Sequence, residues 1–326
     1  MGSTNTFNPI KITMFKINFV LTLTLLFIPL LNYAQYTDQI NSNRPGETMS
    51  AFAVGKSVIQ LETGAFGISQ KHHLLNYVTN GYGIDATIRY GMFKEKLEFI
   101  ADIQYQNQLY EASLITMDQK ALKQTILGAK YLLFDPFKNQ ENKVNVYSWK
   151  VDKSFKWKQL IPAVSVFAGA NITSANNPYH FSSKAGISPK VIFITQNHLG
   201  DGSWVFVTNT IADYIGTEFP SYGYAVTLTK GLNKNWSGFI ENQGYKSDFY
   251  SDLIVRSGAA YLVTEDLQLD VSASASLKNT PSIFYGGIGF SWRYDGNYQE
   301  IRTPIEEEVI NVKKEKIKKK KRFLIF

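Results

Sequence analysis

Between Leu267 and Tyr294, odd and even positions separate almost without error. Leu267, Leu269, Val271, Ala273, Ala275 and Leu277 are apolar, and Gln268, Asp270, Ser272, Ser274 and Ser276 between them are polar. Successive side chains of a strand point to opposite faces, so this period of two makes one face apolar throughout and leaves the other polar. After the turn Lys278-Asn279-Thr280-Pro281 the pattern resumes, with Phe284, Ile288, Phe290, Trp292 and Tyr294 on one face and Ser291 and Arg293 on the other. Gly286, Gly287 and Gly289 keep that strand slim. Strands of soluble sandwiches usually run about five or six residues. These are longer and end in an aromatic cluster, which a lipid-facing barrel strand requires.

The same alternation predicts twelve strands, at roughly 56–67, 82–93, 96–107, 121–134, 161–172, 188–198, 203–214, 221–232, 235–246, 252–263, 267–277 and 282–294. No helical periodicity and no internal repeat interrupts them. The expected fold class is all-β: a single antiparallel transmembrane β-barrel of about 12 strands after a cleaved signal peptide. An even strand number brings both chain ends to one side, with short periplasmic turns such as Lys94-Glu95-Lys96, Asn233-Lys234-Asn235 and Thr264-Glu265-Asp266. Loops near 68–81, 108–120 and 173–187 would then face outward. Residues 135–160 fall where a short turn is expected but are long, polar and lysine-rich; an extra hairpin there would change the strand count by two.

Upstream, Met14-Phe15-Lys16 precedes an apolar run from Phe19 to Leu31 and then Asn32-Tyr33-Ala34-Gln35, the layout of a secretory signal cleaved after Ala34. The run is short for a spanning helix. Residues 1–34 are thus a signal peptide, with Met14 an alternative start, and 35–55 an N-terminal periplasmic segment. The barrel occupies 56–295, and 296–326 form a basic, disordered periplasmic tail. Charge adds little to this picture. The net +7 is concentrated at the two ends: residues 305–326 hold eight Lys/Arg against four Asp/Glu, and Lys11 and Lys16 lie in the signal. The barrel body is nearly neutral and offers no nucleic-acid groove. The tail reads as solvated chain or as an arm for anionic polymer or lipid. Nineteen Tyr and 22 Phe against four His and no Cys fit aromatic girdles better than a hydrolase or a metal enzyme, and exclude disulfides and thiol chemistry.

Carrying the alternation through each strand collects charged side chains on the inner face: Glu62, Asp85, Arg89, Glu98, Asp102, Lys130, Asp213, Glu241, Arg256, Asp270 and Arg293, beside Gln60, Gln104 and Asn209. An ionised group on the lipid face would cost about 2–4 kcal/mol at mid-depth, so inward placement is the cheaper arrangement. These groups either pair with one another and fill the bore or line a water-filled path whose charges select the solute. No HExxH, GxSxG or P-loop motif is present. His198 near Ser203 and Asn197 lacks the shared geometry that a Ser, His and Asn set needs. No catalytic residue, metal site or cofactor is expected.

Asn43-Arg44-Pro45-Gly46-Glu47-Thr48, then Val54-Gly55-Lys56 and Gln60-Leu61-Glu62-Thr63-Gly64, resemble the start of the bacterial outer-membrane barrels of the meta-pathway of phenol degradation family, often labelled transporters. The end, from Gly258 to Asp270 and from Gly287 to Arg293, is similar to that family's closing hairpin, and Glu241 after Trp236-Ser237-Gly238-Phe239 also fits. The resemblance covers roughly 40–295. Asn43 stands where Asp is usual, and the 135–160 insert and the basic tail are departures. The family supplies no catalytic residues. It implies a Gram-negative outer-membrane barrel that passes small molecules, hydrophobic or aromatic ones among them.

The expected function is therefore an outer-membrane pore or channel-like transporter for small solutes, reached by secretion through the inner membrane. The alternative is a plugged structural or binding barrel acting through its outer loops or its basic tail. Expected partners are outer-membrane lipid, a small-molecule solute and the barrel-assembly machinery, with no nucleic acid. For the last of these, Gly287, Phe290 and Trp292 resemble an internal assembly signal, with Phe326 at the chain end as the rival.

Overall fold

The computed structural model describes residues 40–136, 157–180, 185–200, 202–248 and 250–296. Twelve antiparallel strands close into one barrel, each paired with its sequence neighbours and the last with the first. They are β1 (Val58–His72), β2 (Tyr77–Gly91), β3 (Leu97–Ala112), β4 (Ile115–Phe134), β5 (Ala163–Thr173), β6 (Gly186–Leu199), β7 (Trp204–Asp213), β8 (Ser221–Gly231), β9 (Trp236–Ser247), β10 (Ser251–Thr264), β11 (Leu267–Ser276) and β12 (Ser282–Asp295). All twelve expected strands are found. The signal peptide and the basic tail lie outside the described residues.

Two expected loops are largely strand. Residues 68–81 and 108–120 continue the β1–β2 and β3–β4 ladders to tight turns at 73–76 and 113–114. There apolar positions such as Leu109, Ile115 and Met117 are interspersed with polar ones, and the clean alternation is lost. Backbone pairing goes on past the apolar band, while the alternation that revealed it stops. Most of the 135–160 insert also lies outside the described residues, its last part being a single 3-10 turn at Trp157–Leu160. β4 pairs directly with β5, so no extra hairpin enters the wall at that point.

The apolar face points outward. Ile84, Ile88, Leu127, Phe193, Ile240, Val271 and Ile288 are exposed along mid-strand, and aromatic side chains flank them at both levels: Tyr90, Tyr131, Trp204, Trp236, Tyr261, Trp292 and Tyr294 toward the end where β1 begins and β12 stops (the terminus-bearing end of the barrel), and Tyr82, Tyr105, Tyr222, Tyr224 and Phe284 toward the other. An apolar belt between aromatic rims is the outer surface of a membrane barrel.

Inside, two findings depart from the sequence reading. Residues 40–54, part of the stretch 35–55 expected as an N-terminal periplasmic segment, lie within the bore. The chain enters at the terminus-bearing end, where the Ile40 amide donates to the Glu265 carbonyl, and returns to that end, where the Ser57 amide donates to the Gly91 carbonyl. Its tip is near Arg44–Glu47. The second departure is that one side of the bore is apolar. Ile100, Ile126, Leu132, Phe167, Ile192, Ile194, Val207 and Ile211, all facing inward from β3–β7, form a buried cluster with Ala51 of the inserted segment, and Met49 and Phe52 pack against it. Strands of this side are apolar on both faces, as Val191-Ile192-Phe193-Ile194 shows. The inward positions of β1, β2 and β8–β12 are mainly polar, and Lys130, Gln196 and Asn209 add polar side chains beside the apolar cluster.

Candidate functional site in the bore

The inserted segment has no sheet partner, so its backbone groups need others. The inward side chains of the wall supply them. Asn209 pairs with both backbone groups of Met49, accepting from its amide at 2.7 Å and donating to its carbonyl at 3.0 Å. Gln196 Oε1 accepts the Ala51 amide at 2.9 Å, and Glu98 accepts the Val54 amide at 2.8 Å. Glu241 accepts from the amides of Glu47 and Thr48 at 3.0 and 3.2 Å and from the Thr227 hydroxyl at 2.7 Å. Lys130 Nζ donates to the carbonyls of Ser50 and Phe52 at 2.6 and 2.9 Å.

Several inward charges also pair with one another. Arg89 lies between Glu62 at 3.0 Å and Glu98 at 3.1 Å, Lys130 sits 2.7 Å from Glu98, and all four side chains are buried. Lys190 is 3.0 Å from Asp213. Arg256 bonds Glu47 of the tip at 2.7 Å. Asp102 has neutral partners: the Thr87 hydroxyl donates to it at 3.2 Å and the Gln124 amide at 2.7 Å. Arg293 is buried at the terminus-bearing end, 4.0 Å from Asp295.

Arg44 holds the tip. Its guanidinium bonds Asp85 on β2 and, through Nε and Nη2 at 3.2 Å each, Asp270 on β11. Between those strands it lies flat on Gly64 and Gly289, which face each other across β1 and β12. A Cβ on either would stand 2.6 Å from Arg44 Cζ, so the guanidinium reaches both carboxylates only across a strip of wall without side chains.

Two cavities flank the tip. On the outward side one of about 540 Å³ is lined by Phe66, Ile68, Gln70, Gln106, Gln108, Lys123, Tyr179, Tyr245, Tyr250, Ser274 and Tyr285. A bulge, where β3 Gln104 pairs with Gln124 but Tyr105 with Leu122, leaves Lys123 unpaired in the ladder, and its side chain joins this lining. Toward the terminus-bearing end a cavity of about 180 Å³ is lined by Ser42, Thr48, Val205, Val207, Thr229, Phe239 and Gln268. Asn43, Arg44, Pro45 and Gly46 line both. The tip is therefore the partition between them.

At the outward mouth, residues 174–180 fold against the wall. Tyr179 donates to the carbonyls of Gln106 and Gln119, and His180 Nε2 pairs with the Lys123 carbonyl while Tyr214 donates to its Nδ1 at 3.1 Å. Burial holds the His180 pKa below the usual imidazole range, against the opposing pull of the Lys123 carbonyl.

Of the residues expected to line the bore, Glu62, Asp85, Asp102 and Arg256 border the outward cavity. Arg89, Glu98, Lys130 and Glu241 instead bind the inserted segment or each other, Asp270 binds Arg44, Asp213 binds Lys190, and Arg293 lies at the terminus-bearing end. The sequence reading missed the inserted segment and the aromatic wall of the cavity. The signal for the first was present in Thr48–Val54, a run of small and apolar residues without turn chemistry. Gly287 faces inward opposite Phe66, and Phe290 and Trp292 face outward at 40% and 44% exposure. His198 packs edge-on against Phe52 and its Nε2 contacts Gln196. Among the described residues no group of three or more His, Asp or Glu gathers to hold a metal.

A family model described as "Putative MetA-pathway of phenol degradation" matches residues 42–294. No curated protein matches the chain. Among solved structures, an outer membrane channel from Pseudomonas putida F1 is similar at 11% identity and a TM-score of 0.51, over 78% of this chain and 100% of that one. The translocator domain of the autotransporter NalP from Neisseria meningitidis aligns at 8% identity and 0.44, over 74% and 89%, and the monoaromatic hydrocarbon channel CymD at 9% and 0.39, over 74% and 90%. The first supports the fold; at TM-scores below 0.5 the other two carry no argument.

Proposed function

Given that the chain belongs to this phenol-degradation family, we propose that it is a pore of the outer membrane for small solutes, and not an enzyme. The observation that carries the reading is the pair of cavities meeting at residues 43–46 inside a barrel with an apolar belt. A solute entering from outside reaches the larger cavity first, and only the tip separates it from the smaller one. The channel from Pseudomonas putida F1 supports this reading through its fold. The apolar half of the bore and the buried Arg89–Glu62–Glu98–Lys130 cluster brace the limb at 49–54, whereas the tip is held by Arg44 on Asp85 and Asp270, by Arg256 on Glu47, and by Glu62 and Glu241 at the amides of Asn43 and Glu47. The barrel meets lipid through its outer face, and we assign its insertion to the barrel-assembly machinery through Gly287, Phe290 and Trp292.

Full-length protein in planar bilayers should give discrete conductance steps. Silence at all voltages and salts, with a β-rich circular dichroism spectrum, would reject the pore in favour of a plugged barrel.

A further inference from the structure

The outward cavity contains an amide relay with a loose end. Gln106 Nε2 donates to Gln108 Oε1 at 2.6 Å, and Gln108 Nε2 donates to Gln119 Oε1 at 2.8 Å. That polarity commits the Gln106 amide nitrogen and leaves its Oε1 with no hydrogen-bond partner, although the residue is 2% exposed and lines the cavity. Ser274 Oγ on β11, 4% exposed, is in the same condition and lines the same cavity. Two buried polar atoms left unpaired each carry a desolvation penalty that a hydrogen-bonding guest would relieve. The neighbouring polar groups are already engaged: Gln243 donates to Tyr245 and Tyr250 donates to Asp252.

Between Gln106 and Ser274 the wall of β1 and β12 presents Phe66, Ile68 and Tyr285, with the Phe66 and Tyr285 rings edge to face at 6.1 Å. This is an apolar panel with an acceptor at each margin. The cations around the cavity are occupied: Arg44 by Asp85 and Asp270, Arg256 by Glu47, and Lys123 over the Tyr285 ring. A solute anion would have to displace one of them. The volume, about 540 Å³, falls within the range of about 300–1,000 Å³ typical of small-molecule sites.

We propose that this cavity is a binding site for an uncharged ring carrying two or more hydroxyl groups, its face on the apolar panel of Phe66 and Ile68 and its hydroxyls donating to Gln106 Oε1 and Ser274 Oγ. The assignment rests on the pore reading for its biological sense but not for its test. A monosaccharide and a dihydroxyarene share this chemistry.

Full-length protein in detergent is titrated by calorimetry with arabinose and with 1,2-dihydroxybenzene, beside the methyl ethers of each, benzoate and 2-aminocyclohexanol. At least one diol should bind, its ether at least about fivefold more weakly, and benzoate not at all. Binding of arabinose alone identifies a sugar site, and of 1,2-dihydroxybenzene alone an arene site. Gln106→Met and Ser274→Ala should each weaken the diol about fivefold, with heat-modifiable migration showing that they fold; the ether comparison needs no variant. An ether that binds as well as its diol, no binding of either diol, or an ammonium analogue that binds more tightly overturns the proposal. Liposome swelling separates the two readings. Swelling without diol preference leaves the pore and removes this site, whereas diol binding without swelling removes the pore and leaves the site.

Discussion

Arg44→Ala tests the tip as the barrier to passage. The substitution leaves Asp85 and Asp270 facing each other across Gly64 and Gly289 with no cation between them. Removing one member of a buried ion pair costs about 3–5 kcal/mol. Asp270 is fully buried on its side chain, but Asp85 is 23% exposed and Arg44 15%, so solvent screens part of the loss and about 3 kcal/mol is the appropriate figure. At about 1.4 kcal/mol per decade, the balance between seated and unseated tip moves by about 100-fold. The limb beyond it keeps Glu241, Asn209, Gln196, Glu98 and Lys130, so loosening should be confined to residues 42–46. Single-channel recordings should show larger conductance or longer open times for Arg44→Ala, and hydrogen exchange should speed up at 43–46 while 49–54 stay protected. Gly289→Ala should act in the same direction, because its methyl group would occupy the space of the guanidinium. If both variants fold and conduct like the wild type, the tip is not the barrier and the two cavities communicate by another route.

Lys130→Met should lower the temperature at which the barrel loses its heat-modifiable band and destabilise it by about 3–5 kcal/mol, since Glu98 and the carbonyls of Ser50 and Phe52 lose a buried cation. The outward cavity has Glu47, Glu62, Asp85, Asp102 and Asp252 against Arg44, Lys123 and Arg256, so a salt gradient should give a reversal potential of cation-selective sign; anion selectivity would place the path elsewhere. His180 has a folded pKa below the ordinary 6.5. The unfolded loop therefore binds more protons, and the stability that neutral His180 provides is present above pH 6.5 and lost as pH falls below it. Limited proteolysis at 174–180 should be faster at pH 5 than at pH 8, and His180→Gln should remove the difference. A chain stopped after Asp295 should still insert, whereas Trp292→Asp should not. An acid near the interface costs only about 0–1 kcal/mol in lipid, so failure of that variant would reflect lost recognition by the assembly machinery; failure of the truncation alone would assign the signal to the tail.

Strand number, order and facing were legible in the sequence because each depends on local periodicity. An antiparallel barrel pairs neighbours, and in an alternating strand a period of two assigns each side chain to lipid or bore without knowledge of its contacts. Gln60, Glu62, Asp85 and Asp270 were placed inward on that ground. What those side chains bind was not legible. The bore positions of Glu241, Asn209 and Gln196 read as solute-facing polar groups, yet each meets backbone of residues 47–51 from 145 to 194 positions away in sequence, and no local pattern records so distant a partner. The apolar cluster around Phe167 and Ile194 is hidden for a related reason: a strand apolar on both faces loses the alternation that distinguishes lipid from core. Arg44 lies on Gly64 and Gly289 because closure of β12 on β1 puts two glycines opposite each other between Asp85 and Asp270. That juxtaposition, and with it the division of the bore into two cavities, exists only once the sheet has closed.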